Sequence, residues 1–196
     1  MKAKLSEIAD ITAGFLQRES KKPAELTTIL IIQLRDLNVN GTIDYDHLRT
    51  EDISSKDKYP ELFSGDVIFA AKGSKRSAGV IDRKLEGTTV SNHYLIIRIK
   101  DDFKSRVLSS YLACYLRQKP AMDYFDQCGS GSHIPFVSAA ALKELEVELP
   151  PIEKQKTLAE LGELIGREDK LEKELFELRK LYYKNSLEKV IRIFGG

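Results

Sequence analysis

Residues 148–161 read "ELPPIEKQKTLAEL", and two kinds of chain meet there. Upstream, Leu145, Val147 and Leu149 alternate with polar residues, the pattern of a half-buried strand. Downstream, no proline occurs from Ile152 to Val190. Pro151 sits where a helix starts, and proline is tolerated there because that amide has no intrahelical partner. Gly162 and Gly166 are the weak points, each costing about 1 kcal/mol relative to alanine. About 38 helical residues would make a rod of roughly 57 Å. The expected organisation is a mixed α+β globular domain over 1–149, followed by a long helix over 150–196.

The rod carries a heptad seam. Leu161, Leu164, Glu168, Leu171, Leu175, Leu178 and Tyr182 recur in alternating steps of three and four, and only Glu168 is polar. Ile165 and Leu181 widen the stripe. An apolar stripe of this length needs a partner helix to leave water. The chain has no second long helix, so the expected partner is another polypeptide, and the stripe a dimerisation coiled coil.

Composition narrows the function. The chain has 196 residues, 42% hydrophobic and 31% charged, with a net charge of +1. No apolar run reaches the ~18 residues that span a bilayer. The opening "MKAKLSEIADI" carries Glu7 and Asp10, unlike a signal peptide, so a cytoplasmic protein is expected. Cys114 and Cys128 read as reduced thiols, one of them buried on a helix. Acidic residues predominate from Asp36 to Asp66. Five basic residues face one acidic between Lys72 and Lys84. A basic cluster in a neutral chain permits anion or nucleic-acid binding on one face.

Along the globular part, residues 5–11 suit a short helix or strand, and 14–27 a loop. "TILIIQL" (28–34), "VIFAA" (67–71), "VIDRK" (80–84) and "TTVSNHYLIIRIK" (88–100) read as strands. Asn38, Asn40 and Gly41 mark a turn. "SRVLSSYLACYLRQ" (105–118) has helical spacing and Pro120 ends it. "AMDYFDQC" (121–128) is a second helical piece, and Ser138 is a good N-cap for "AAALKEL".

No catalytic signature is present. Metal-binding H-E-x-x-H and C-x-x-C pairs are absent, as is G-x-S-x-G, and the three histidines are isolated. Gly73-Ser74-Lys75-Arg76-Ser77 lacks the second glycine of a phosphate loop, and Gly129-Ser130-Gly131 lacks the third glycine of a dinucleotide fingerprint. No enzyme activity, cofactor or metal is therefore expected. Binding chemistry is better represented. Lys72, Ser74, Lys75, Arg76 and Ser77 combine cations with hydroxyls, which suits phosphate and guanine contacts. Asn92, His93 and Tyr94, then Ser130, Ser132 and His133, then Arg18, Lys21 and Lys22 form three further polar or basic groups.

Taken in order, "KLSEIADITAG", "LRDLNVNGTI", "SGDVIFAAKGSKRSAGV", "VSNHYLIIRIK" and "GSGSHIPFVSAAALKELEVELPPIEKQKTLAEL" resemble the DNA-specificity subunit of type I restriction–modification systems. Pro150, Pro151, Glu153 and Gln155 follow that family's junction motif. The resemblance implies a target-recognition domain that reads one half of a bipartite site in double-stranded DNA. It further implies that the long helices of two such modules pack antiparallel as a spacer. The same resemblance implies that methyltransferase and restriction subunits dock on them and perform the catalysis. This chain holds one recognition domain and one helix, about half the family's usual content, as expected of a half-subunit that homodimerises or of a fragment. Two alternatives stand beside this reading. One is a protein-interaction adaptor working through its coiled coil. The other is a specificity component of a different methylation or phage-defence system.

Overall fold

The apolar alternations upstream of Pro150 close into three small sheets. The computed structural model describes residues 1–16, 25–73, 76–128 and 136–194. Its strands are β1 Lys2–Lys4, β2 Ala9–Ala13, β3 Leu26–Ile32, β4 Arg49–Ser54, β5 Val67–Ala70, β6 Ala78–Val80, β7 Thr88–Val90, β8 Tyr94–Ile99 and β9 Glu146–Glu148. Its α-helices are α1 Leu5–Ile8, α2 Ser109–Leu116, α3 Lys119–Cys128, α4 Ala139–Glu144 and α5 Ile152–Phe194. The chain divides into two compact units, Met1–Ala159 and Glu160–Gly196. None of the described helices is long and apolar enough to cross a membrane.

In the first unit, an antiparallel sheet runs in the order β2-β8-β5-β6, and β5 and β8 are its central pair. Successive side chains of a strand point to opposite faces. Val67 and Phe69 of β5, with Leu95, Ile97 and Ile99 of β8, accordingly join α1, α2, α3 and α4 in the larger core. Ile68, Ala70, Tyr94 and Ile96 face a second core with Ile32, Leu62, Ile81 and Val90. These strands are buried on both faces, which explains their unbroken apolar runs. A three-stranded sheet, β4-β3-β7, packs Ile29, Ile31 and Ile53 against Phe15. The strand before Pro150 pairs with the N-terminus, Lys2 opposite Glu148 and Lys4 opposite Glu146. Ser138 caps α4, its Oγ accepting from Ala141 N at 3.0 Å.

Several sequence expectations need correction. Residues 5–11 hold both a helical turn and a strand, α1 and β2. The expected strand 80–84 is instead β6, 78–80, because Gly79 belongs inside the sheet. A Cβ there would meet Gly41 O at 2.6 Å and Leu37 Cδ1 at 2.7 Å. The single strand expected over 88–100 is two. A turn at Ser91–His93 separates β7, parallel to β3, from β8 in the other sheet. β4 went unforeseen because only Ile53 in "RTEDIS" is buried. α2 stops at Leu116, and Pro120 lies in the first turn of α3, where its missing N–H is harmless. Both cysteines are free, Cys114 buried in α2 and Cys128 exposed.

A buried glutamine anchors the junction. Gln155, in the second turn of α5, is fully buried. Its Oε1 accepts from Leu108 N at 3.0 Å, and its Nε2 donates to Arg106 O at 2.7 Å and Pro150 O at 2.9 Å. Ala159, one turn on, is the last buried residue of the helix among those described. In the second unit Leu161, Leu164, Glu168, Leu171, Leu175, Leu178 and Tyr182 are all exposed.

Candidate nucleic-acid interface

Four described segments of the first unit, next in sequence to the nominated groups or part of them, meet in one region. After β5, Ala71 N and Lys72 N both donate to the carbonyl of His93, at 2.9 and 3.2 Å. Lys72 forms an antiparallel bridge with Phe136, and Val137 N donates to Ala71 O at 2.8 Å. After β2, Phe15 lies in a parallel bridge with Ser91, and Gly14 N donates to Tyr94 O at 3.0 Å. Segments 14–16, 71–73, 91–93 and 136–137 are thus hydrogen-bonded neighbours. Two glycines permit this. A Cβ on Gly14 would stand 2.2 Å from Ser91 O, so the chains could not approach. Gly73 has φ of +118°, a conformation L side chains avoid, as the chain turns away from the sheet.

The side chains sort into those that present themselves and those the fold consumes. His93 is exposed, with Nδ1 3.4 Å from Ser91 Oγ, and Asn92 is half-buried. Lys72 is half-buried, its Nζ 5.8 Å above the Phe136 ring, and it makes no ion pair among the described residues. Arg76, by contrast, is committed. Its guanidinium pairs with Asp126 of α3 and its side chain is only 13% exposed. Ser77 is buried and donates to Asn38 O at 2.7 Å. Tyr94 is buried in the second core and donates to Gln33 O at 3.1 Å; burial pushes its phenol well above the usual range. Of the nominated residues, Arg76, Ser77 and Tyr94 thus each have a polar partner within the first unit. Ser74, Lys75, Ser130, Ser132, His133, Arg18, Lys21 and Lys22 lie outside the described residues.

Sequence reasoning passed over Phe136, which is 45% exposed beside Lys72. It also passed over Lys56 and Lys58, both exposed near Phe15. Phe136 closes the Gly-Ser loop and reads as an ordinary core aromatic. Lys56 and Lys58 flank Asp57 in an acidic stretch, which hides them from any charge count. The described residues hold no group of three or more His, Cys, Asp or Glu placed to bind a metal ion. The arrangement offers cations, a ring face and backbone amides, a chemistry of binding.

A family described as the type I restriction modification DNA specificity domain matches residues 1–178. Among solved structures the chain is similar to the HsdS subunit from Thermoanaerobacter tengcongensis, with 17% identity and a TM-score of 0.60 over 92% of this chain and 45% of that one. It is similar to a chain of a type I R-M system, with 16% identity and a TM-score of 0.58 over 97% and 46%. A third likeness is the type I restriction-modification S subunit from M. genitalium, with 15% identity and a TM-score of 0.52 over 92% and 43%. At these identities the likeness is one of fold. The chain spans a little under half the length of each of these solved chains. No curated protein sequence matches it.

Proposed function

The chain belongs to the type I restriction modification DNA specificity domain family, and from that premise we propose that it reads one half of a bipartite DNA target and leaves catalysis to other subunits. The observation that carries this reading is the meeting of segments 14–16, 71–73, 91–93 and 136–137 at one edge. Loops that leave a rigid sheet from one place are suited to reading a groove, with phosphate contacts for position and base edges for sequence. In this reading the exposed seam of α5 pairs antiparallel with the helix of a second copy or of another specificity chain. The paired helices set the distance between half-sites. Methyltransferase subunits dock on that pair, and restriction subunits join them.

Two-fold pairing of identical chains makes the two half-sites identical and inverted, an interrupted palindrome. The test is a gel-shift panel on duplex DNA with the methyltransferase subunit present, followed by the methylated motif. The expected outcome is retention of one duplex class whose motif has two inverted halves. A motif with unrelated halves, without a second specificity chain, would overturn the homodimer. Failure to retain any duplex would favour the adaptor reading, in which the exposed seam alone does the work.

A further inference from the structure

Many cations of the first unit are already paired. Arg98 forks Asp66 at 2.8 and 2.7 Å, Arg49 meets Glu51 at 3.0 Å, and Arg76 holds Asp126. Lys56 and Lys58 differ: they are exposed and make no ion pair among the described residues. With Asp57, they line one side of a groove of about 350 Å³ whose other wall is Gly14, Phe15 and Leu16.

Both walls are built rather than incidental. Phe15 N donates to Val90 O at 2.8 Å, and its ring stands edge-on to Tyr59 with centroids 6.4 Å apart. Pro60, at the end of the lysine segment, has its carbonyl held by Thr89 Oγ1 at 2.6 Å. The missing Cβ of Gly14 keeps the floor against Ser91. Ser91 also meets His93 through its hydroxyl, so groove and loop cluster share an edge.

We propose that this groove takes a backbone phosphate of duplex DNA, with Lys56 and Lys58 as its cations. The proposal rests on the DNA-reading function above and adds to it a site for sequence-independent contact. Lysine ammonium groups suit a phosphate as mobile point charges. Leu16, exposed beside the buried Phe15, offers an apolar surface for the adjoining deoxyribose. Asp57 opposes the anion from within the same lining, so the groove carries one net positive charge and binds weakly enough for the loops to decide the sequence. A backbone following the shared edge would pass the groove and then Lys72 and His93, which favours nucleic acid over an isolated protein carboxylate.

The experiment titrates the full chain with a fluorescent duplex of mixed sequence across a salt series. Lys56→Ala with Lys58→Ala should lower the slope of log affinity against log salt by about 0.9 for each phosphate no longer neutralised. It should weaken all duplexes alike. Asp57→Asn should act in the opposite direction and strengthen binding; being exposed, it tests the idea even if the double variant folds poorly. Wild-type binding with an unchanged slope in both variants would overturn the phosphate site and leave the DNA-reading function standing. A weakening confined to one sequence would also overturn it, because phosphate contacts carry no sequence. If the wild-type chain binds no duplex even at low salt, alone or with the methyltransferase subunit, both readings fall.

Discussion

Gln155 sits at the end of the Pro-Pro junction, and its chemistry explains why that position holds an amide. The side chain offers one acceptor and two donors, and all three functions meet backbone groups. A glutamate would set a carboxylate against two carbonyls. An alanine would leave the Leu108 amide and the Arg106 and Pro150 carbonyls without these partners. Gln155→Ala should therefore cost about 2–4 kcal/mol of stability. Urea unfolding followed by tyrosine fluorescence would measure it, and a cost well under 1 kcal/mol would show the amide to be dispensable. A second residue-scale prediction concerns His47. The Asp44 carboxylate accepts from its Nδ1 at 3.0 Å and holds the imidazolium above its ordinary pKa of 6.5. The folded value is raised, so the pair's contribution is present below that unfolded value and fades as pH rises through the folded one. Both groups are exposed, so the effect on global stability is small. An NMR titration should place His47 above its ordinary value, and Asp44→Asn should return it; an unchanged midpoint in the variant would refute the pairing.

Among the elements, those with strong self-contained patterns formed where the sequence put them. β5 and α5 are examples, because two-faced burial and heptad spacing write themselves into composition. β4 did not, because an edge strand with one buried side chain looks like a loop. The division of 88–100 into β7 and β8 did not either, because both halves are apolar and only pairing with β3 separates them. α5 carries the element-scale prediction. Its seam leaves six apolar side chains exposed, Leu161 and Tyr182 at its ends. Leu171→Asn with Leu178→Asn should drive the chain toward a monomer in light scattering. Glu168→Leu should act oppositely, since a polar residue in such a seam lowers stability. If the wild-type chain is already a strict monomer at high concentration, the pairing is wrong.

At the scale of the molecule, the candidate site is assembled from segments more than a hundred residues apart. Phe15, Lys72, His93 and Phe136 meet through backbone hydrogen bonds among strands of two sheets. The resemblance to known family motifs named which loops to consider. It could not say which side chains within them remain available. Arg76 and Ser77 had the right chemistry for a phosphate, yet Asp126 and Asn38 occupy them. Lys56 and Lys58 had the wrong neighbourhood in sequence and a groove in space.

The sequence alone determined the α+β class, the long proline-free helix, its heptad seam and the family. Each depends on local periodicity or on ordered motifs, which survive without any knowledge of tertiary contacts. The tertiary structure decided the split of the last long strand, the register of β6, the clamp around Gln155 and which segments meet at the candidate edge. These depend on which distant backbone amides find which carbonyls, and that information is distributed over pairs of segments rather than contained in any one of them.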